Sequence, residues 1–147
     1  MFSMEILFSP DGGVNPFSSM ESGGLGYEMT SDNKLAFYYR ANNKWVLPNN
    51  NFQIPIQVGQ NAYYHAVVTY NKTTFRMYLN GNKVKEMKVS GSFNFPQKNQ
   101  APDYLMGIGG DYRDVVIPSI QNSFIGKIVY ARLYKGVLSE SDVKKMN

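Results

Sequence analysis

His65 is the only histidine in the chain, and it lies between Tyr64 and Ala66 in a run of aromatic and β-branched residues. A nucleophilic site of the Ser-His-Asp or Cys-His kind would have to be built on this one side chain, in mid-strand rather than on a loop. A cluster of metal-binding histidines is impossible, and the lack of cysteine removes disulfides and thiolate metal sites. The setting instead fits a histidine hydrogen-bonded within a sheet. Carboxylates are the other candidates. Cleavage of a sugar bond needs two of them, about 5 Å or about 6.5–9.5 Å apart, which on one strand means positions i and i+2 or i+4. Glu5 and Glu28 each stand alone on their strands. Glu86 lies among Lys83, Lys85 and Lys88, and Glu140 and Asp142 fall where a helix begins, a place that favours acids electrostatically.

Two further groups suit binding rather than reaction. In Asp111-Tyr112-Arg113-Asp114 the carboxylates of Asp111 and Asp114, with main-chain oxygens, are hard ligands of the kind Ca2+ takes in loops. Asp11 and Glu21 add ligands if the fold brings them near, whereas Arg113 offers the opposite reading, a neutralised turn without metal. Trp45, Tyr38, Tyr39 and Tyr112 are candidate stacking residues. Sugar rings present C–H faces that pack on aromatic planes, and phenol hydroxyls add polar contacts. Tyr38 and Trp45 lie near turns, where exposure is expected, and Arg113 joins Tyr112 as a candidate ligand contact. The competing reading is that aromatics at strand spacing are core. Asn71-Lys72-Thr73 is a glycosylation sequon in an expected turn.

Composition sets the frame that must hold these residues. The chain has 147 residues, with eleven Tyr, nine Phe and one Trp. That suffices for one domain, placed at residues 1–147, burying roughly two-thirds of its unfolded surface. Tyr and Phe favour pleated surfaces, and helical patterns are scarce, so the class is all-β. The net charge of +4 is dispersed. No basic stripe interleaves with stacking aromatics, so no nucleic-acid partner is expected. No apolar run approaches the roughly 20 residues of a membrane span, so no membrane insertion is expected. Strand-like sequence follows Met1 almost at once, as in a domain excised from a longer polypeptide.

The elements follow from alternation and turns. Phe2, Met4, Ile6 and Phe8 predict a strand with one buried face, ended by Ser9-Pro10-Asp11-Gly12-Gly13, with a loop to about Ser22. Leu25, Tyr27 and Met29 pair across Ser31-Asp32-Asn33 with Leu35, Phe37 and Tyr39. A short strand covers Lys44 to Leu47, and Pro55 confines Phe52–Val58 to an edge. Tyr63 to Tyr70 reads as a strand covered on both faces, Phe75 to Leu79 alternates, and Asn80-Gly81 supplies a tight hairpin turn into Val84–Val89. Tyr104 to Ile108 is a strand, Asp111 to Ser123 a long loop, and Phe124 to Tyr134 a long strand. Ser139 and Asp142 form a capping box for a helix from Glu140. About ten antiparallel strands imply a two-sheet β-sandwich with a short C-terminal helix.

The run from Tyr63 to Gly81 resembles the central signature of laminin-G-like, concanavalin A-like jelly-roll domains. Phe124 to Val143 is similar to the closing strand and helix of that family, Gly107-Ile108-Gly109-Gly110-Asp111 to the strand and loop before it, and Phe2 to Pro10 to its early strand. The likeness covers nearly the whole chain in the family's order. Tyr63 replaces the usual Trp, Leu7 replaces another, and Val129-Tyr130 replaces the closing strand's acidic pair. A strand that usually precedes the early one is missing, which leaves an edge of the closing strand bare. The resemblance implies a jelly roll acting as a non-catalytic accessory module of a larger extracellular, cell-surface or periplasmic protein, attached to a neighbouring domain such as a hydrolase. Its ligand would be a glycan or a protein, with no cofactor required and calcium as a candidate ion. The alternatives are a structural domain packed beside a catalytic one, and a minimal glycoside hydrolase.

Overall fold

The computed structural model describes residues 1–19, 24–41, 44–46, 52–89, 106–112 and 120–147, with backbone alone at 44, 45, 111, 112, 120 and 121. In chain order the elements are β1 (Phe2–Gly13), β2 (Phe17–Ser18), β3 (Leu25–Met29), β4 (Lys34–Ala41), β5 (Lys44–Val46), β6 (Gln53–Pro55) and β7 (Tyr64–Tyr70). Then come β8 (Thr74–Leu79), β9 (Asn82–Lys88), β10 (Gly107–Ile108), β11 (Asp111–Tyr112), β12 (Ile120–Gln121), β13 (Phe124–Lys135) and α1 (Glu140–Lys145). One sheet runs β13-β1-β7-β8-β9. The other runs β10-β2-β3-β4-β5, with β6 also on β4, and β11 and β12 form a small separate pair. All pairings are antiparallel. The result is the expected all-β sandwich, in which alternating residues of both sheets make the core.

β1 departs from the sequence reading. It sits inside its sheet, between β13 and β7, so both of its faces are covered. Ser3 and Glu5 are as buried as Met4 and Ile6. The strand also continues through the residues expected to end it. Pro10 pairs with Gly126, and Gly12 and Gly13 with Ile125 and Phe124. Beyond Phe8 there is no β7 partner, so Pro10 costs no second ladder bond. Irregular pairing beside Gly126 demands that glycine: its φ is +144°, and a Cβ there would stand 2.3 Å from the Ser9 carbonyl oxygen.

Other local signals resolve as read. Asn80 and Gly81 both take positive φ, +48° and +74°, which gives a two-residue turn between Leu79 and Asn82. Asn80 Oδ1 also accepts from His65 N at 2.9 Å, which ties the turn to β7. Asn71 Oδ1 accepts from the main chain of Thr73 and Thr74, so the sequon's amide braces the β7–β8 turn. Ser139 caps α1 with a complete capping box. Val143 of α1 packs on Val67 and Tyr78, which closes the outer face of the first sheet. Pro55 ends β6, an edge strand on β4, as expected. The two-residue strands β2, β11 and β12 were not legible, because two residues carry no periodicity, whereas β10 is the end of the strand expected at Tyr104 to Ile108. The expected strand residues Tyr104 and Leu105 lie outside the described residues.

Phe75 joins the layers. Its ring lies 4.5 Å from Tyr70 and 6.1 Å from Phe2 on its own sheet, and 4.6 Å from Tyr39 and 5.6 Å from Phe37 on the other. Tyr27 adds a cross-sheet bond, its hydroxyl donating to the Met4 carbonyl at 2.8 Å. Phe75→Ala should cost about 3–5 kcal/mol, enough to unfold a marginal domain. Ser139→Ala, which removes only a helix cap, should cost about 1 kcal/mol. Urea unfolding of the two variants should rank them in that order.

Candidate functional site

Two polar clusters contain the residues able to do chemistry. The first gathers on the outer face of the β13-β1-β7 sheet. Leu7 pairs with His65 and Glu5 with Arg132, so the register brings β7 and β13 to the Glu5 side chain. His65 Nε2 meets Glu5 Oε1 at 2.8 Å, and both residues are buried. The Tyr134 hydroxyl donates to the other carboxylate oxygen, and Arg132 reaches that oxygen at 3.5 Å while lying over the Tyr130 ring. Tyr130 is also a hydrogen-bond donor to this carboxylate. Glu5 therefore does not stand alone, contrary to the sequence reading. Its partners come from strands far away in sequence. Burial pushes its carboxyl up, but the bonds from Tyr134 and His65 and the histidine charge outweigh that and hold it below its ordinary value. His65 Nδ1 is buried without a hydrogen-bond partner. A carboxylate filled with donors has no lone pair to offer a substrate, so the cluster fixes strands together, and His65 takes the sheet-internal role expected of it.

The second cluster lies on the outer face of the other sheet. There β3 and β4 pair Gly26 with Tyr38 and Glu28 with Ala36, and β5 sets Trp45 opposite Arg40. β6 places Gln53 beside Ala36, and β2 places Ser18 beside Gly26. Ser18, Gly26 and Ala36 are small and buried, while Glu28, Tyr38, Arg40 and Gln53 are half-buried. The longer polar residues close over the strip of small ones, with Ser18 and Ala36 fully buried beneath them. Tyr38 is hydrogen-bonded to Glu28. Burial pushes the Glu28 carboxyl above its usual value, partly offset by that bond. Burial and the facing Glu28 push the Tyr38 phenol up to about 12, so it remains a donor at neutral pH. Glu28 is the one carboxylate on the strands of this face among the described residues.

Of the residues singled out in the sequence, Tyr38 is half-buried on this face, the backbone of Trp45 pairs with that of Arg40, and Tyr39 is buried in the core. The backbone puts Asp111 and Tyr112 in β11, opposite Gln121 and Ile120. Arg113, Asp114 and Glu21 lie outside the described residues, and Asp11 is exposed in β1. Glu28 and Arg40 were missed, although the turn at Ser31–Asn33 fixes the register that makes Glu28 and Tyr38 diagonal neighbours. Near β11 the buried Asn15 leaves both amide atoms without a hydrogen-bond partner, and its main-chain N–H donates to Asn122 O at 2.9 Å. An orphan donor and an orphan acceptor together suit a buried water, whereas a cation would satisfy the oxygen alone. Among the described residues no three His, Cys, Asp or Glu side chains converge as a metal cluster would require. Also among them, no helix is long and apolar enough to cross a membrane.

The Glu5 cluster sets an acid limit on stability. A carboxyl held below its unfolded value of about 4.5 contributes stability that is complete above that pH and is lost as pH falls through the folded value. Glu5→Gln should cost about 3 kcal/mol at pH 7 by leaving His65 and Arg132 without their anion. The gap to wild type should narrow as pH drops from 5 toward 2, and urea midpoints across that range measure it.

No curated protein matches the chain in sequence. Solved structures do match in fold. A Bacteroides ovatus protein superposes with TM-score 0.69 at 18% identity over 98% of this chain, which spans 40% of that protein. The CBM40 of the Ruminococcus gnavus IT-sialidase, also solved with alpha2,3 sialyllactose, gives 0.68 at 12% identity over 99% of this chain and 81% of its own. Domain 4 of AbnA, an extracellular GH43 arabinanase of Geobacillus stearothermophilus, in complex with arabinotriose, gives 0.64 at 16% identity, covering 99% and 65%. These likenesses are of fold, with the same two-layer jelly roll. The family profile described as the concanavalin A-like lectin/glucanases superfamily matches residues 4–144, and the chain belongs to that superfamily.

Proposed function

We propose that this domain is a non-catalytic carbohydrate-binding module, an accessory part of a larger extracytoplasmic protein, and that it holds a glycan on the outer face of the β2–β5 sheet. The observation that carries the reading is the half-buried polar cluster on that face. Tyr38 and Glu28 stand as a hydrogen-bonded donor and acceptor beside the small residues Gly26 and Ala36, with Trp45 and Arg40 paired at its end. A sugar hydroxyl both donates and accepts, so it suits a carboxylate next to a phenol. Similar folds solved with alpha2,3 sialyllactose and with arabinotriose support the ligand class.

The hydrolase alternative needs a second carboxylate facing Glu28 at glycosidase spacing. Glu28 has none beside it among the described strands of this face, and Glu5 belongs to the other sheet with its oxygens occupied. Calcium, considered for Asp111 and Asp114, is not needed by a ligand held this way, and binding is proposed to be independent of it.

A glycan array probed with the whole chain should give hits that persist in EDTA. Tyr38→Ala and Trp45→Ala should each weaken binding to the best hit by about tenfold or more, the usual cost of a lost stacking or anchoring aromatic. Circular dichroism of both variants at the assay temperature should show them folded, which separates lost contacts from lost structure. An array without hits, or hits untouched by both substitutions, would sink the proposal. Loss of every hit in EDTA would return the site to Asp111 and Asp114.

A further inference from the structure

Charges lie in a fixed order on the outer face of the β2–β5 sheet. Lys34, Ala36, Tyr38 and Arg40 follow one another two residues apart along β4, and all four belong to that side, since Leu35, Phe37, Tyr39 and Ala41 fill the core. Glu28 pairs with Ala36, so Lys34 and Tyr38 are its diagonal neighbours. Tyr38 bonds to it. Lys34 instead turns to the loop before β4, with Nζ 2.5 Å from an Asp32 carboxylate oxygen. The main-chain N–H of Arg40 donates to Gly24 O, and from Ala36 to Arg40 the strand runs about 13 Å. Lys44 pairs with Ala41, farther still. β2 and β6 contribute Phe17-Ser18 and Gln53-Ile54-Pro55, none of them charged. Burial raises the Glu28 carboxyl, the Tyr38 bond offsets part of that, and no cation among the described residues contributes.

We infer, on the reading of that face as a glycan site, that Glu28 selects the charge of the ligand: the sugar ring that meets Glu28 and Tyr38 is uncharged, and carboxylated sugars such as uronic and sialic acids are refused there. A hydroxyl of a neutral ring donates to the carboxylate, and a bond to an ionised acceptor is about twice as strong as one between neutral groups. A ligand carboxylate in the same place brings no proton. It sets a second negative charge against a half-buried one, a like-charge contact that interfaces use to reject wrong partners. Such a ligand enters only if one of the two acids takes up a proton, as when two carboxylates share a site. Glu28 is the acid placed to do so, since burial already holds it above its ordinary value. Refusal of acidic sugars therefore fades as pH falls, while a neutral sugar loses its charged acceptor and binds less well. Tyr38, pushed up to about 12, keeps its proton throughout. The net charge of +4 attracts anions only at long range. It is dispersed, and salt screens it beyond about 10 Å at 0.1 M, so it does not offset a like charge in contact.

The test places the whole chain on an array of neutral, sialylated and uronic-acid glycans. Calorimetry at pH 7 then compares the best neutral hit with the same glycan oxidised to the carboxylate at its primary hydroxyls. The oxidised form should bind about tenfold more weakly or worse. In Glu28→Gln, which keeps the size and removes the charge, the two affinities should converge. In wild type they should converge as pH is lowered to 4.5, where a carboxyl raised above that value is more than half protonated. This second comparison decides the matter where the variant binds neither sugar. Stronger binding of the oxidised form at pH 7, or a preference that Glu28→Gln leaves unchanged, would overturn the inference. Sialylated or uronic hits that Tyr38→Ala abolishes would also overturn it and leave the glycan site in place. An array with no hits would remove that site and this inference with it.

Discussion

The packing of Phe75 between the layers is the constraint on which the rest of the sandwich depends. Two sheets that are each polar on one side hold together only through what their inner faces share. Here that is a set of aromatic rings that meet at one side chain. Phe75 is stacked on Tyr70 at 25° and tilted against Tyr39 and Phe37, so it joins β7 and β8 to β4. Each such ring buries about 150–250 Å2, and edge or offset contacts add about 0.5–1.5 kcal/mol per pair beyond area. This joint takes up Phe2, Phe37, Tyr39, Phe52 and Tyr70 around Phe75. With the inner faces committed to it, only the outer faces, the edges and the loops remain for any other purpose.

The two outer faces are treated in opposite ways. That of the β13-β1-β7 sheet is covered along β1 and β7, where Ser3, Glu5, His65 and Val67 are buried. The segment after β13 crosses it, Ser3 Oγ donates to Gly136 O at 2.9 Å and accepts from Leu138 N at 2.9 Å, and α1 covers Val67 and Tyr78. Glu5 beneath this cover is surrounded by donors, and a carboxylate so held is costly to protonate. It suits a strut between strands and does not suit a general acid, which needs a carboxyl near its proton-transfer point. The face of the β2–β5 sheet carries no such cover by α1. Glu28 there is pushed the other way, by burial, and has the Tyr38 phenol as its partner.

Much of the fold was legible because it rests on local rules. Asn80-Gly81 needs only its own two residues to declare a hairpin, and Ser139 with Asp142 needs only a spacing of three to declare a helix start. The aromatic and β-branched run before Tyr70 announces a strand covered on both sides. β1 hid the same property, because Ser3 and Glu5 look like a solvent face until their partners arrive from Gly136, Leu138, His65 and Tyr134, which lie far along the chain. Pro10 looked like a terminator because the rule for proline concerns a strand paired on both sides, and β1 is paired on one side only beyond Phe8. Of the binding residues, Tyr38 and Trp45 were legible from type and turn proximity. Glu28 and Arg40 were not, since an isolated charge on a strand acquires meaning only once the register is known.

Register also decides what kind of surface the proposed glycan site can be. On β3 and β4 the residues facing outward are fixed two apart, and the cross-strand pairs set small against large: Gly26 against Tyr38, and Ala36 against Glu28. A one-residue slip would bury Glu28 and Tyr38 among Tyr27, Phe37 and Phe75, where neither charge nor hydroxyl has a partner. The same aromatic joint that excludes such a slip therefore holds the polar pair in place from below, without touching it. Rigidity of this origin matters for a weak ligand such as a sugar, whose few hydrogen bonds are worth little if the protein must first order its own side chains. A Tyr38 hydroxyl already engaged by Glu28 has given up that freedom before any ligand arrives. The selectivity of the face then lies in which hydroxyl can insert into an existing pair, and that is a matter of geometry set by the sheet.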